Sequence, residues 1–208
     1  MLKTRIQFAK GGALRYIGHL DFLRVFGQTV RRTGLPVAFS QGFNPHILLT
    51  FALPLPLGMA STYDYADLTF TEGVDVNRVA AALQAQTPAG LEIHRVWETQ
   101  GRNGASLCAA ADYTLAGTPT VDILAATEWI ISKKTKSGLM NTDIRPDIFN
   151  VVTEGETTVM RLAAGSGRFL HPLVAAEILL GRTVTAGEIQ RTELYGQTDT
   201  TFVPLEVM

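Results

Sequence analysis

Cysteine is nearly absent from this sequence of 208 residues, because Cys108 is the only one. A single cysteine excludes an intramolecular disulfide, a cysteine-based zinc site and a CxxC redox pair within the chain. It also excludes a self-contained iron–sulfur cluster, which needs several cysteine ligands. Cys108 lies among small residues with no histidine or other base nearby in the sequence. We therefore expect a buried thiol that packs as a small hydrophobic side chain.

Long apolar runs are also missing. No run reaches the roughly 18 residues that cross a bilayer, and the longest candidate, 47–60, is interrupted by two prolines and a glycine. Charged and polar residues likewise interrupt the N-terminus, which lacks the apolar block of a signal peptide. Hydrophobic residues still make up 46% of the chain, enough for a substantial core. We expect a globular cytoplasmic protein with no membrane contact.

Acidic residues are scarce in the first 60 positions, where Asp21 is the only one. Seven cations share this segment, which gives it a net charge of +6, whereas the whole chain carries −1. These cations are Lys3, Arg5, Lys10, Arg15, Arg24, Arg31 and Arg32. Such sorting predicts one basic and one acidic half, and a basic half attracts polyanions such as nucleic acid.

The hydrophobic pattern of the first half predicts six alternating elements. Apolar spacing indicates a helix over 19–33, which Gly34 and Pro36 end, and a second helix over 76–86 with Asp75 as its N-cap. Strands are predicted over 2–9, 47–53, 63–70 and 91–97. This β-α-β-β-α-β order is that of a ferredoxin-like sandwich.

A polar, glycine-containing segment over 98–105 reads as a linker, after which the same order is predicted again. Strands are expected near 109–116, 147–153, 157–164 and 188–195, with helices near 120–132 and from Pro172 to Leu180. The sequence thus predicts an α+β protein with two tandem ferredoxin-like domains, 1–98 and 106–208.

The first helix carries a set of polar side chains on one face. Arg24, Gln28, Arg31 and Arg32 follow the spacing i, i+4, i+7 and i+8. One interpretation is a surface that contacts phosphates, and the other is an ordinary solvated helix face. The missing acids favour the first, because solvated faces usually mix charges of both signs.

The loop from Ser40 to His46 (Ser-Gln-Gly-Phe-Asn-Pro-His) is unusually polar around one aromatic ring. As a functional loop it would offer His46 as an acid or base and Phe43 as a stacking platform for a nucleobase. As a structural loop it would use its polar side chains to bind its own backbone. The sequence leaves both interpretations open.

Two further patterns are weaker. His19, Asp21 and His46 resemble a two-histidine, one-carboxylate metal site, but the predicted topology puts the histidines at opposite ends of a βαβ unit, so we expect no metal. Ser166, Gly167 and Arg168 precede a predicted helix and resemble a small anion site. Phosphate-binding loops, dinucleotide fingerprints and HExxH motifs are absent, and no cofactor is expected.

Several longer stretches resemble a known family. They are 15–21 (Arg-Tyr-Ile-Gly-His-Leu-Asp), 31–36, 40–46, 54–58 (Pro-Leu-Pro-Leu-Gly), 143–146 (Asp-Ile-Arg-Pro) and 191–195. The sequence resembles, over nearly its whole length, a radical-SAM-associated protein family of unknown function. Members of that family stand alone beside a radical SAM protein with a B12-binding-like domain, or are fused to its C-terminus. The resemblance implies a radical SAM partner on a separate chain and carries over no catalytic residue.

These observations together predict an accessory protein that binds tRNA or rRNA and presents it to the radical SAM enzyme. The expected RNA contacts are Arg15, Arg24, Arg31, Arg32, Gln41, Phe43, Asn44 and His46. One alternative is an RNA-processing or RNA-modifying enzyme with His46 or His19 as the general acid or base. Another is a protein-interaction module whose basic face docks on the partner.

Overall fold

The computed structural model describes residues 1–135, 138–199 and 201–208 of the chain. Within these ranges nine strands form one mixed sheet and two more pair separately, with few helices, so the protein is α+β as expected. The strands are β1 (Leu2–Lys10), β2 (Leu49–Phe51), β3 (Ala60–Phe70), β4 (Leu91–Glu98), β5 (Cys108–Ala116), β6 (Ile130–Thr135), β7 (Gly138–Asp143), β8 (Ile148–Glu154), β9 (Thr157–Ala163), β10 (Gln190–Thr198) and β11 (Thr201–Pro204). The helices are α1 (His19–Arg32), α2 (Val76–Gln84), α3 (Gly104–Leu107) and α4 (Pro172–Leu180). Short 3₁₀ helices span Gly12–Tyr16, Arg145–Asp147, Ala186–Glu188 and Leu205–Val207.

The six elements predicted in the first half are all present, in the order β1-α1-β2-β3-α2-β4. The strands run side by side as β4-β1-β3, and β2 pairs with the far edge of β3. Asp75 caps α2 as predicted, because its carboxylate accepts the backbone N–H of Asn77 at 2.9 Å. One core lies between the sheet and the two helices.

Four phenylalanine rings fix α1 on the sheet. Phe22 and Phe26 come from the buried side of α1, Phe8 from β1 and Phe51 from β2. Their ring centroids lie 5.2 to 6.1 Å apart, the separation at which aromatic pairs attract. This packing directs the opposite, polar side of α1 to solvent.

The second half repeats the strand order with fewer helices. Its strands run β10-β5-β9-β8, and α4 packs into a second core. The helix predicted over 120–132 is wrong: residues 120–129 form a turn, bends and irregular backbone, and 130–135 form β6, which pairs with β7. Ile123 is fully buried there, whereas the other residues that would face inward from such a helix, Leu124, Thr127, Ile130 and Ile131, are not.

The reason for this difference is a long-range contact that the local pattern does not reveal. Arg145 donates to the backbone carbonyls of Leu124 at 3.0 Å and Ala126 at 3.2 Å, which a helix would have used internally. Asp143 accepts the backbone N–H of Trp129 at 2.8 Å. With these groups satisfied from elsewhere, the segment gains little from forming a helix.

The two halves share one sheet and contact each other through charged side chains. β3 pairs in parallel with β10 over Ala60–Ser61 and Gln190–Arg191. Arg191 donates to Asp64 on β3, and Arg5 on β1 donates to the carbonyl of Leu205 at 3.2 Å. The predicted division at 98–106 therefore falls inside one continuous sheet.

None of the helices in the described ranges is both long and apolar enough to cross a bilayer.

Candidate nucleic-acid interface

Two of the seven N-terminal cations are inside the molecule. Arg5 is fully buried and donates through Nε to Asp67 at 2.9 Å. Lys10 is also buried, with Nζ 4.5 Å from the ring centroid of Phe22 and 3.3 Å from the carbonyl oxygen of Ile17. Burial lowers the pKa of Lys10, against the raising effect of the Asp64 carboxylate. The basic surface is thus smaller than the charge count alone predicts.

Arg15 has a structural position. Its Nε lies 2.6 Å from the carbonyl oxygen of Gly58, and its Nη2 lies 2.7 Å from that of Gly187. The guanidinium therefore ties the N-terminal half to the 3₁₀ helix Ala186–Glu188 of the other half. Two of its donor nitrogens already bind backbone carbonyls, so Arg15 is less available to RNA than the exposed arginines of α1.

The predicted polar face of α1 is exposed. Arg24, Gln28, Arg31 and Arg32 all face solvent. Arg24 lies 2.7 Å from Asp21, but both side chains are more than 60% exposed, so water screens this pair strongly. Arg31 and Arg32 form no ion pair with any described residue. They are the free charges of this surface.

The loop from Ser40 to His46 closes on itself. Ser40 Oγ lies 2.8 Å from His46 Nδ1 and accepts the backbone N–H of His46 at 3.1 Å. The Ser40 hydroxyl thus makes two contacts with His46, and it donates to Nδ1 or accepts from it according to the tautomer of the ring. Phe43 is fully exposed at the tip of the loop, and Gln41 and Asn44 are exposed beside it.

A groove runs between α1 and the segment that follows this loop. Its lining residues are Leu23, Arg24, Gly27, Gln28 and Arg31 from α1, with His46, Ile47 and Leu49 opposite. The structure thus brings three predicted contacts together, Arg24, Arg31 and His46. Arg15, Arg32, Gln41, Phe43 and Asn44 lie outside the lining.

Gly27, in the middle of α1, lines the groove and is a residue that sequence reasoning misses. A glycine in a helix interior costs about 0.5–1 kcal/mol relative to alanine. A Cβ at Gly27 would meet no atom within 4 Å, and the backbone there has no positive φ. The only sequence signal for it is a glycine in the middle of an amphipathic helix.

His19, the second candidate catalytic residue, belongs to a different environment. Its ring packs edge-on against Phe51 at 5.7 Å and borders a small internal space with Lys10 and Asp64. Burial lowers the pKa of His19, and the nearby charge of Lys10 lowers it further. Among the described residues no group of histidine, cysteine or acidic side chains is placed to hold a metal ion.

Arg168, the cation of the predicted anion site, already has an acidic partner within the chain. Arg168 forms an ion pair with Asp147, and Ser166 and Gly167 are exposed. The N-terminus of α4 is capped by His171, whose Nδ1 accepts the backbone N–H of Leu173 at 3.3 Å. The first helical position, Pro172, has no N–H to offer. The charge and the donors that an anion would use are therefore largely engaged within the chain.

A family model describes most of this sequence. Residues 3–172 match the model of an uncharacterized protein conserved in bacteria (DUF2344), and the chain belongs to this family. A comparison with curated proteins finds no match.

Proposed function

We propose that this DUF2344 protein binds RNA through the groove beside α1 and presents it to a radical SAM enzyme on a separate chain. The observation that carries the proposal is that Arg24, Arg31 and His46 line one groove. Arginines hold phosphates through paired N–H donors, and such contacts supply most of the affinity of sequence-independent RNA binding.

The charges around the groove support this proposal. Arg31 and Arg32 are exposed, and no ion pair to them is present in the part of the chain that the structure describes. Asp21 holds Arg24 only through a solvated contact, which a phosphate is able to replace at small cost. A polyanion would therefore find three arginines on one helix.

The loop adds an aromatic ring that does not pack in the core. Phe43 is fully exposed although large apolar side chains are normally at least partly covered. An exposed ring beside a cationic surface is suited to stack on a nucleobase. Gln41 and Asn44 flank the ring with hydrogen-bonding groups.

The radical SAM partner follows from the sequence resemblance described above. With one cysteine, the chain holds no radical SAM cluster of its own, so that chemistry belongs to another polypeptide. We propose that both act in the cytoplasm.

We further propose that each half is a ferredoxin-like unit, the second without its first helix. The two halves share one strand order, which supports this: it is β4-β1-β3 with β2 in the first half and β10-β5-β9-β8 in the second.

The test is RNA binding across a salt series. We expect the protein to bind tRNA or rRNA more tightly than a matched DNA duplex, with affinity that falls steeply as salt rises. The double variant Arg31→Ala/Arg32→Ala should weaken binding and reduce the slope by up to about two, roughly one for each lost phosphate contact. The matched control is Arg78→Ala/Arg95→Ala, two exposed arginines away from the groove.

Equal slopes for wild type and both double variants would contradict the proposal. Binding to the radical SAM partner without RNA, together with no RNA binding near physiological salt, would instead assign the basic face to protein docking.

A catalytic role is a second candidate, favoured by the contact between Ser40 Oγ and His46 Nδ1. This contact fixes the ring of His46, and fixed rings are what general acid–base catalysis needs.

A further inference from the structure

Gly27 has no structural reason to be glycine. It lies in regular helix, its backbone is open to any residue, and a Cβ would meet nothing within 4 Å. Glycine here weakens α1 without relieving any clash inside the chain. One physical use of such a glycine is to let something outside the chain approach the helix backbone closely.

The groove around Gly27 has an apolar floor and a cationic rim. Leu23, Ile47 and Leu49 form the apolar part, and Ile47 is buried. Arg24 and Arg31 stand at its two ends, about 10 Å apart along the helix axis. An occupant that matches this arrangement is flat and weakly polar in the middle and negatively charged at its ends.

We infer that the groove receives a single unpaired nucleotide of an RNA strand, with its base over Gly27 and its flanking phosphates on Arg24 and Arg31. This inference rests on the proposed RNA binding and names the form of RNA that the site takes. Gln28 and His46, which also line the groove, would meet the polar edge of the base.

The apolar floor is the reason to prefer an unpaired nucleotide over a duplex. An A-form helix hides its bases and presents phosphates and 2′-hydroxyls, which gain nothing from leucine and isoleucine side chains. An unpaired base exposes a flat face that buries apolar surface when it enters a groove. The missing side chain at Gly27 leaves room for that face against the helix backbone.

The experiment compares Gly27→Leu with wild type on two probes, poly(U) and a poly(A)·poly(U) duplex. The leucine fills the groove and leaves every arginine in place. We expect poly(U) affinity to fall about tenfold or more, on the scale of one lost base-stacking contact, with the salt slope unchanged. Duplex binding should be unaffected. Ala81→Leu, at an exposed position of α2, is the matched control for an added apolar side chain.

Folding is checked by thermal unfolding of each variant. Replacement of a helix glycine by leucine should keep or raise the midpoint, since leucine is a good helix former. Gly27→Gln is the second variant and should also weaken poly(U) binding.

Unchanged poly(U) affinity in both Gly27 variants would overturn the inference. If Arg31→Ala/Arg32→Ala still weakened RNA binding, the proposed function would stand without it. An equal loss of duplex binding would also overturn the inference, because pairing would then not matter. No binding of either probe by wild type would overturn both.

Discussion

Arg191 on β10 donates to Asp64 on β3 at 2.5 Å, and both side chains are almost completely buried. The same guanidinium donates to the backbone carbonyls of Leu53 at 3.0 Å and Pro54 at 3.2 Å. One side chain of the second half thus organises a strand and a loop of the first. Burial raises the pKa of Asp64, and the charge of Arg191 opposes this rise.

Removal of Asp64 should destabilise the whole protein. Asp64→Ala leaves Arg191 and Lys10 buried without a carboxylate, and the loss of one partner of a buried pair costs about 3–5 kcal/mol. Urea denaturation followed by circular dichroism measures this as a lower midpoint. Asp21→Ala, which breaks the exposed pair with Arg24, is the control and should cost under about 1 kcal/mol. Equal midpoints for Asp64→Ala and wild type would contradict the role of this pair.

Cys108 should be chemically silent in the native protein. It is buried, its thiol donates to the carbonyl of Ala164 at 2.9 Å, and burial raises its pKa to about 12. Thiolate, the reactive form, is therefore almost absent near neutral pH. A thiol-reactive chromogenic disulfide should label no cysteine in native protein and one per chain in denaturant. Rapid labelling of native protein would show that the thiol is accessible.

Local pattern was sufficient for most of the fold. The apolar spacing of α1, the cap of α2 and the strands of the first half are all short-range features, and they are present as expected. The segment 120–132 differs because Arg145 takes the carbonyls of Leu124 and Ala126 from 19 residues or more away in the chain. Periodicity has no access to such a contact.

The site was predictable in part for the same reason. The shared face of Arg24, Gln28 and Arg31 depends only on helix geometry, and the structure places all three on the groove. The burial of Arg5 and Lys10 depends on acids about 60 residues away and on the C-terminal segment. A charge count treats every cation as solvated and so overestimates the basic surface.

His171 should make stability depend on pH. Its Nδ1 caps α4 by accepting an N–H, and burial lowers its pKa below 6.5. Between the folded pKa and 6.5 the unfolded chain binds a proton that the folded chain does not, so stability present above 6.5 is lost as pH falls through that window. A protonated ring neither caps the helix nor suits its positive end.

The variant His171→Asn isolates this effect. Asparagine is a good N-cap and does not titrate, so the variant should keep its neutral-pH stability and lose less of it on acidification. The free energy of unfolding, measured by urea titration from about pH 7 to pH 5, checks this. His19, whose pKa burial also lowers, is present in both proteins, so its contribution cancels in the comparison. Parallel pH profiles would contradict the assignment.

His46→Asn separates binding from catalysis. The asparagine side chain can hydrogen-bond the Ser40 hydroxyl in place of Nδ1, so the loop should stay closed, yet an amide exchanges no proton near neutral pH. For an RNA-presenting protein we expect affinity to fall, because His46 lines the groove, but by less than in Arg31→Ala/Arg32→Ala, since asparagine keeps hydrogen-bonding groups at this position. We also expect RNA incubated with either protein, without the partner, to remain intact and unmodified by gel electrophoresis and mass spectrometry. RNA that wild type cleaves or modifies and His46→Asn leaves unchanged would make the protein an enzyme with His46 at its centre, because binding would persist while the proton-transferring group is gone.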